Sequence, residues 1–169
     1  MPNVGGARSS RRRLLAAVVH SKLLYGAPAW AGALKYKRNT DILVSAQRRA
    51  LLRIASAYKT TSAEAIQVIT GVLPVDLQVR RLNLLYRTAR ARSEVDEALL
   101  CEWQRRWVSG EKAAWTRTLI PDISMWVKKK HGELDYHLTQ ALTGHGCFAA
   151  FLHRIGKEQD DRCWYCGDT

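Results

Sequence analysis

The chain has 169 residues, a hydrophobic fraction of 47%, four cysteines and a formal net charge of +12. This hydrophobic fraction is that of a packed protein and excludes a disordered chain, and four unevenly spaced cysteines exclude a disulfide scaffold. No run approaches the roughly 20 apolar residues that span a bilayer, so no membrane partner is expected, and a reducing intracellular compartment, nuclear or cytoplasmic, is predicted.

The positive charge is concentrated in the N-terminal third of the chain. Residues 1–60 contain 12 Lys and Arg but a single acid, Asp41. Residues 61–110 contain seven basic and six acidic residues, and residues 111–169 contain eight of each. Such concentration is typical of a protein that binds a phosphate backbone or an anionic membrane surface.

The first predicted helix covers about residues 10–25. Helical spacing predicts that one face is apolar, formed by Leu15, Val18, Val19 and Leu23. Arg11, Arg12 and Arg13 stand in its first turn, where the helix dipole is already positive. We therefore expect this end to face an anion outside the protein, and a solvated charge run is the alternative.

A second basic cluster follows the break at Gly26 and Pro28. It consists of Lys35, Lys37 and Arg38. Asn39 or Thr40 is then predicted to cap a helix. The apolar stripe of this helix is predicted at Leu43, Ala46, Ala50, Ile54 and Ala57. Arg49 and Arg53 flank the stripe, and Arg48 lies on another side.

The middle of the chain is predicted to be helical throughout. Thr61 and Glu64 match a capping box, Gly71 ends that helix, and Pro74 suits the first turn of the next one. The two short helices favour simple packing over a helix-turn-helix. Between Val75 and Val108 there is no Pro or Gly, which predicts one long connecting helix over 74–110, or two helices with a bend near Ser93.

The remaining segments complete an all-α prediction, because no stretch alternates apolar and polar residues. Core packing is the preferred role of the tryptophans, which include Trp103, Trp107, Trp115 and Trp126. The predicted regions are a basic helical region (1–73), a long connecting helix (74–110), a C-terminal helical region (111–158) and the beginning of a metal-binding segment (159–169).

Cys163 and Cys166 have the only metal-type spacing in the chain. Two thiolates separated by two residues supply half of a tetrahedral zinc site, and His145, Cys147 and His153 are upstream candidates for the other half. A redox dithiol is the alternative, but it lacks a thioredoxin-like context. No catalytic constellation is present.

Several motifs resemble insect non-LTR retrotransposon polyproteins of the type that inserts into ribosomal DNA. They include Met-Pro-Asn-Val-Gly-Gly at 1–6, His-Ser-Lys-Leu-Leu-Tyr-Gly-Ala-Pro-Ala-Trp at 20–30, Gln-Arg-Arg-Ala-Leu-Leu-Arg-Ile at 47–54, Gly-Val-Leu-Pro-Val-Asp-Leu at 71–77, Glu-Trp-Gln-Arg-Arg-Trp at 102–107 and Cys-Trp-Tyr-Cys at 163–166. The likeness is collinear over nearly the whole chain.

The resemblance implies the thumb and C-terminal region of a reverse transcriptase, an RNA-directed DNA polymerase. The palm, whose Tyr/Phe-Ala-Asp-Asp motif binds catalytic magnesium in that family, is absent, so the chain is expected to be inactive alone. Cys163 and Cys166 match the first two ligands of a zinc knuckle, and zinc binding would require the missing His and Cys. The missing palm and fingers are expected partners.

Together these observations predict sequence-independent binding of RNA, an RNA–DNA hybrid or DNA through its backbone. The candidate residues are Arg11, Arg12, Arg13, Lys22, Lys35, Lys37, Arg38, Arg48, Arg49 and Arg53. Three alternatives remain open: a host-adopted binding module, an inert relic, and a membrane-surface helix over 11–34.

Overall fold

The computed structural model describes residues 7–128, 133–163 and 166–167. This part of the chain contains helices and no strand, which confirms the all-α prediction. The motif at 1–6 lies outside the described residues. The helices are α1 (Ser9–Leu23), α2 (Ala27–Trp30), a 3-10 helix (Ala31–Lys35), α3 (Lys37–Ala55), α4 (Ala63–Thr70), α5 (Val75–Arg87), α6 (Arg92–Ser109), α7 (Ala114–Leu119), α8 (Ile123–Lys128), α9 (Tyr136–Thr143) and α10 (Ala149–Arg154).

α3 is the central helix of the basic region and packs against α1, α4 and α5. Its buried face is formed by Gln47, Leu51, Ile54 and Ala55. The predicted stripe is therefore only partly correct, because Ile54 lies in the core whereas Ala46 lines the outer surface. The predicted caps are also wrong, since Asn39 and Thr40 donate to carbonyls of the preceding 3-10 helix.

A polar side chain, Gln47, lies at the centre of this buried face and is fully inaccessible to solvent. Its Nε2 donates to the Leu73 carbonyl oxygen at 2.9 Å. Its Oε1 accepts from Gln67 Nε2 at 2.8 Å and from the Val75 main-chain N–H at 3.0 Å. Gln47 thus satisfies its own polar atoms while it joins α3 to α4 and to the start of α5.

α4 is a core helix, since every residue from Ala65 to Thr70 is buried. Ser62 caps it by accepting from the Ala65 N–H at 3.1 Å, one residue later than predicted. Gly71 ends the helix at φ +65°, as the sequence indicates. Because α4 has no face free to enter a nucleic-acid groove, simple helix packing describes it better than a helix-turn-helix.

Of the two predictions for 74–110, one long helix is wrong and two helices is correct, because residues 88–91 separate α5 from α6, just before the predicted bend near Ser93. The Thr88 hydroxyl and N–H both donate to the Leu84 carbonyl, and Thr88 has an extended backbone. The reversal brings Arg81 to Asp96, with Nη2 2.8 Å from Oδ2. In one straight helix these residues would be about 22 Å apart. Tertiary pairing therefore overrides a sequence without a local helix breaker.

The C-terminal helices pack onto α6 and α4. Trp103 and Trp107 are buried as predicted, and Trp107 Nε1 donates to the Ile120 carbonyl at 2.7 Å. Trp126 is partly buried against the same core. Core packing is wrong for Trp115, whose side chain is 54% exposed although its Nε1 donates to the Ala141 carbonyl at 2.8 Å.

Three of the four residues of the predicted apolar face of α1 are exposed in the described chain. Leu15 is 68% exposed and Val18 is 56% exposed, and only Ser9 and Ala16 of this helix are buried. α1 contacts α3 through the small side chain of Ala16 and through arginines that reach across to neighbouring helices. Leu15, Val18 and Val19 are thus left on the surface, whereas Leu23 is half-buried.

Candidate nucleic-acid interface

The predicted phosphate-binding cations divide into an inward group and an outward group. The inward group, Arg12, Arg13 and Arg48, donates to protein oxygens. The other seven are exposed, as is Arg13, and these seven make few contacts with the described residues. The ten candidates therefore do not form one continuous surface.

The side chains of Arg12 and Arg13 extend from the first turn of α1 to the C-terminal ends of two neighbouring helices, α3 and α4. The Arg12 guanidinium donates to the hydroxyl of Ser56, the residue that follows α3. Arg13 Nη1 donates to the carbonyl oxygen of Thr70, the last residue of α4, at 2.8 Å. Desolvation of the Arg13 guanidinium lowers its pKa.

The hydrogen bonds of Arg12 and Arg13 join the start of α1 to the ends of α3 and α4, and the expectation that this end faces an external anion stays a prediction. The C-terminal end of a helix carries partial negative charge and unpaired carbonyl oxygens, which attract cations. α3 and α4 provide such ends inside the protein, and they offset the unfavourable position of Arg12 and Arg13 at the start of α1. Arg11, their neighbour, remains exposed and unpaired among the described residues.

Arg48 holds the loop that leads into α4. Its Nε donates to the Thr61 carbonyl oxygen at 2.8 Å, and its Nη2 donates to the Lys59 carbonyl oxygen. Arg49, the next residue, is exposed and forms no hydrogen bond or ion pair within the described part of the chain. The direction of each side chain follows from the helical phase, because the core face of α3 fixes which neighbour points inward.

The outward cations of α3 form one face, which we call the α3 basic face and define as Arg38, Arg49 and Arg53. At about 100° per residue, these three side chains fall within about 60° of one another and lie opposite the buried Gln47. None of them forms a hydrogen bond or an ion pair with another described residue. They extend over about 22 Å of helix length.

A shallow groove of about 620 Å³ runs along the part of this face between Arg38 and Arg49. It is lined by Lys37, Arg38, Asp41, Ile42, Ser45, Ala46 and Arg49. Its single carboxylate, Asp41, pairs with Lys37 at 2.6 Å across one helical turn, so the remaining charge of the lining is that of Arg38 and Arg49. An anionic polymer in this groove would therefore meet no unpaired carboxylate.

The other candidate cations are dispersed. Lys22 is exposed on α1 and has no partner among the residues described. Lys35 lies over the ring of Tyr36, with Nζ 4.9 Å from the ring centroid.

Sequence reasoning overlooked a basic cluster at the turn between α5 and α6. Arg87, Arg90 and Arg92 are all exposed there. The near-zero net charge of residues 61–110 hid them, because Asp76, Asp96 and Glu102 pair with arginines elsewhere on the two helices. Counting basic and acidic residues in windows of six residues would have found the cluster.

The cysteine pair does not complete a metal centre with the residues described. Cys163 is half-buried and Cys166 is exposed, while Trp164 and Tyr165 between them lie outside the described residues. No group of three or more His, Cys, Asp or Glu side chains able to hold a metal occurs in residues 7–128, 133–163 and 166–167. His145 Nδ1 instead contacts the Thr143 carbonyl oxygen at 3.0 Å, and His153 Nδ1 that of Glu158 at 3.3 Å.

The described helices are also all too short or too polar to traverse a lipid bilayer.

Comparison with known proteins identifies the class of this all-α chain as retrotransposon-derived. It is 30% identical to the Pol polyprotein of type-1 retrotransposable element R1 2 of Nasonia vitripennis, over 98% of this chain and 45% of that protein. It is 32% identical to the Pol polyprotein of element R1 4 of the same organism, over 82% of this chain and 42% of that protein. It is 30% identical to the R1 Pol polyprotein of Bradysia coprophila, over 85% of this chain and 16% of that protein.

The chain is thus related to part of the Pol polyproteins of R1-type non-LTR retrotransposons, which confirms the resemblance found in its sequence. It spans less than half the length of each of these relatives. No protein-family model matches the chain, and no solved structure does.

Proposed function

We propose that this chain binds the sugar-phosphate backbone of RNA or of an RNA–DNA hybrid through the α3 basic face, as a non-catalytic, thumb-like part of a retrotransposon reverse transcriptase. The observation that carries the proposal is the alignment of Arg38, Arg49 and Arg53 opposite the core, without protein partners in the described chain. Cations held in this way are available to phosphates, and backbone contacts of this kind carry no sequence preference.

The test is the salt dependence of binding to an RNA–DNA hybrid. Each neutralised phosphate lowers the slope of log K against log salt concentration by about 0.9. Replacing Arg38, Arg49 and Arg53 together by Gln should reduce the steepness of the slope by up to about 2.7. The matched control replaces Arg87, Arg90 and Arg92 by Gln, which removes the same charge from another surface and should change the slope much less.

Two outcomes would contradict the proposal. One is an affinity for the hybrid that does not depend on salt. The other is an equal effect of the two triple substitutions, because this would show that net charge rather than the α3 basic face governs binding.

A second role is supported by the exposed apolar face of α1, formed by Leu14, Leu15, Val18 and Val19. These side chains are 41–70% exposed. Adjoining apolar side chains of this size on a surface indicate an interaction site. In the longer R1 relatives the matching segment is joined to more polypeptide, so we propose that α1 docks on the palm and fingers of the same polyprotein.

The docking role is tested by titrating the chain with a separately produced palm-and-fingers segment of an R1 polyprotein in a calorimeter. Replacing Leu15 and Val18 by Gln should weaken binding at least about tenfold, since each removes a large buried side chain from the interface. Val108→Gln, at an isolated position that is 62% exposed, is the control. Failure of the two proteins to bind, or binding to anionic vesicles that nucleic acid does not displace, would refute the docking role.

A further inference from the structure

The groove along α3, and the segment that leads into it, expose side chains that a phosphate backbone does not require. Ile42 lies between Arg38 and Arg49 along the helix and is 58% exposed. Tyr36 immediately precedes α3 and is 59% exposed. The ammonium group of Lys35 lies over the Tyr36 ring at 4.9 Å. The exposed ring of Tyr36 is thus the neighbour in sequence of Lys37, the first residue of the groove lining, and the cations and Ile42 follow along the helix.

This combination fits a single strand better than a duplex. In a duplex the bases are stacked inside, and a protein that contacts only the backbone meets phosphates and sugars. An unpaired base, in contrast, offers a planar face that stacks on an exposed aromatic ring, while cations follow the backbone on either side. Because the Lys35 ammonium lies over one face of the Tyr36 ring, a base would stack on the opposite face, and the cation would attract the neighbouring phosphate.

We propose that the groove takes single-stranded nucleic acid, with an unpaired base stacked on Tyr36 and the backbone running along the α3 basic face. This inference rests on the proposed function and adds the substrate class. From Tyr36 to Arg53 the surface is about 25 Å long. At about 3.4 Å per stacked nucleotide, it accommodates a strand of about seven nucleotides.

The experiment compares the binding of a ten-nucleotide single-stranded RNA with that of an RNA–DNA hybrid of equal length. Tyr36→Ala should weaken single-strand binding by about 5- to 150-fold, which corresponds to the loss of one stacked base, and should change hybrid binding less than about twofold. Tyr36→Phe should retain single-strand binding, because the ring remains. Tyr86→Ala is the matched control, since Tyr86 is 77% exposed beside Arg87 but lies on α5.

A further readout separates stacking from charge. Tyr36→Ala should leave the salt dependence of single-strand binding unchanged, whereas Arg49→Gln should reduce its steepness by about 0.7. A four-nucleotide strand should bind more weakly than a ten-nucleotide strand, because it cannot reach from Tyr36 to Arg53.

The inference is overturned if Tyr36→Ala has no effect on single-strand binding, or if it weakens single-strand and hybrid binding equally. In either case salt-dependent hybrid binding that requires the α3 basic face would still support the proposed function. Failure of the proposed function is a different result, namely that substitutions of Arg38, Arg49 and Arg53 leave both kinds of binding unchanged.

Discussion

Arg48 and Arg49 are adjacent in sequence and identical in chemistry, yet the structure predicts opposite consequences for their replacement. Arg48→Met removes two hydrogen bonds from a charged donor to the carbonyl oxygens of Lys59 and Thr61. Arg49→Met removes a side chain that has no partner among the described residues. Methionine is used in both variants because it keeps much of the aliphatic length of arginine.

The magnitudes follow from these contacts. A hydrogen bond from a charged group contributes about 1.5–3 kcal/mol, but water replaces part of it here because the loop lies at the surface. We therefore expect Arg48→Met to lower the free energy of unfolding by about 2 kcal/mol. At about 2–4 °C per kcal/mol, the midpoint of thermal unfolding should fall by about 4–8 °C. Arg49→Met should stay within about 0.5 kcal/mol of the parent chain.

Two measurements on the same pair of variants check this division. Urea denaturation gives the free energy of unfolding. Titration of a labelled RNA–DNA hybrid at several salt concentrations gives the slope, which Arg49→Met should make shallower by about 0.9 and Arg48→Met should leave unchanged. The reasoning is refuted if Arg48→Met is as stable as the parent chain, or if both variants change the slope equally.

Three further predictions concern stability. Gln47→Leu should lower the free energy of unfolding by about 2–4 kcal/mol, because two buried donors lose their acceptor. Burial lowers the pKa of His20 and of His145, so the unfolded chain binds more protons below about pH 6.5, and the free energy of unfolding should fall as the pH is lowered from 7 to 5. Gly144→Ala should lower the free energy of unfolding by about 1 kcal/mol more than Gly156→Ala does. Both glycines have positive φ, but only the new Cβ at Gly144 meets an indole, at 2.9 Å.

Each of these predictions has a control. For Gln47, a leucine variant as stable as the parent chain would show that the buried amide network contributes nothing. For the histidines, replacing both by Gln should flatten stability between pH 5 and 7. The lowered pKa values of Asp96 and Glu102 affect stability only at lower pH, where these carboxylates become protonated. For the glycines, an equal loss of stability in Gly144→Ala and Gly156→Ala would mean that the Trp115 indole moves aside without an energetic cost.

The sequence predicted the elements whose ends have a local chemical cause. Gly71 ends α4 because a left-handed residue closes the helix, and Pro74 directly precedes α5. Trp103 and Trp107, one turn apart, were correctly assigned to the core. In each case the residues near the position determine the outcome, and no distant contact is required.

Features that depend on distant contacts were predicted less well. The reversal between α5 and α6 has no Gly or Pro, and pairs such as Arg81 with Asp96 form only once the two helices fold back. Gln47 was left out of the predicted core because it is polar, although its partners on α4 and α5 satisfy it. That omission shifted the phase assigned to α3, and the inward direction of Arg48 was consequently missed.

The division of the cations also limits how strongly nucleic acid can be bound. If all ten candidate cations contacted phosphates, the slope of log K against log salt concentration would be about −9 for a hybrid duplex. Arg12, Arg13 and Arg48 are engaged with protein oxygens, and the three members of the α3 basic face account for a slope of only about −2.7. A measured slope near −3 would therefore support binding by one helix face. A slope near −9 would show that the inward arginines leave their hydroxyl and carbonyl partners when nucleic acid binds.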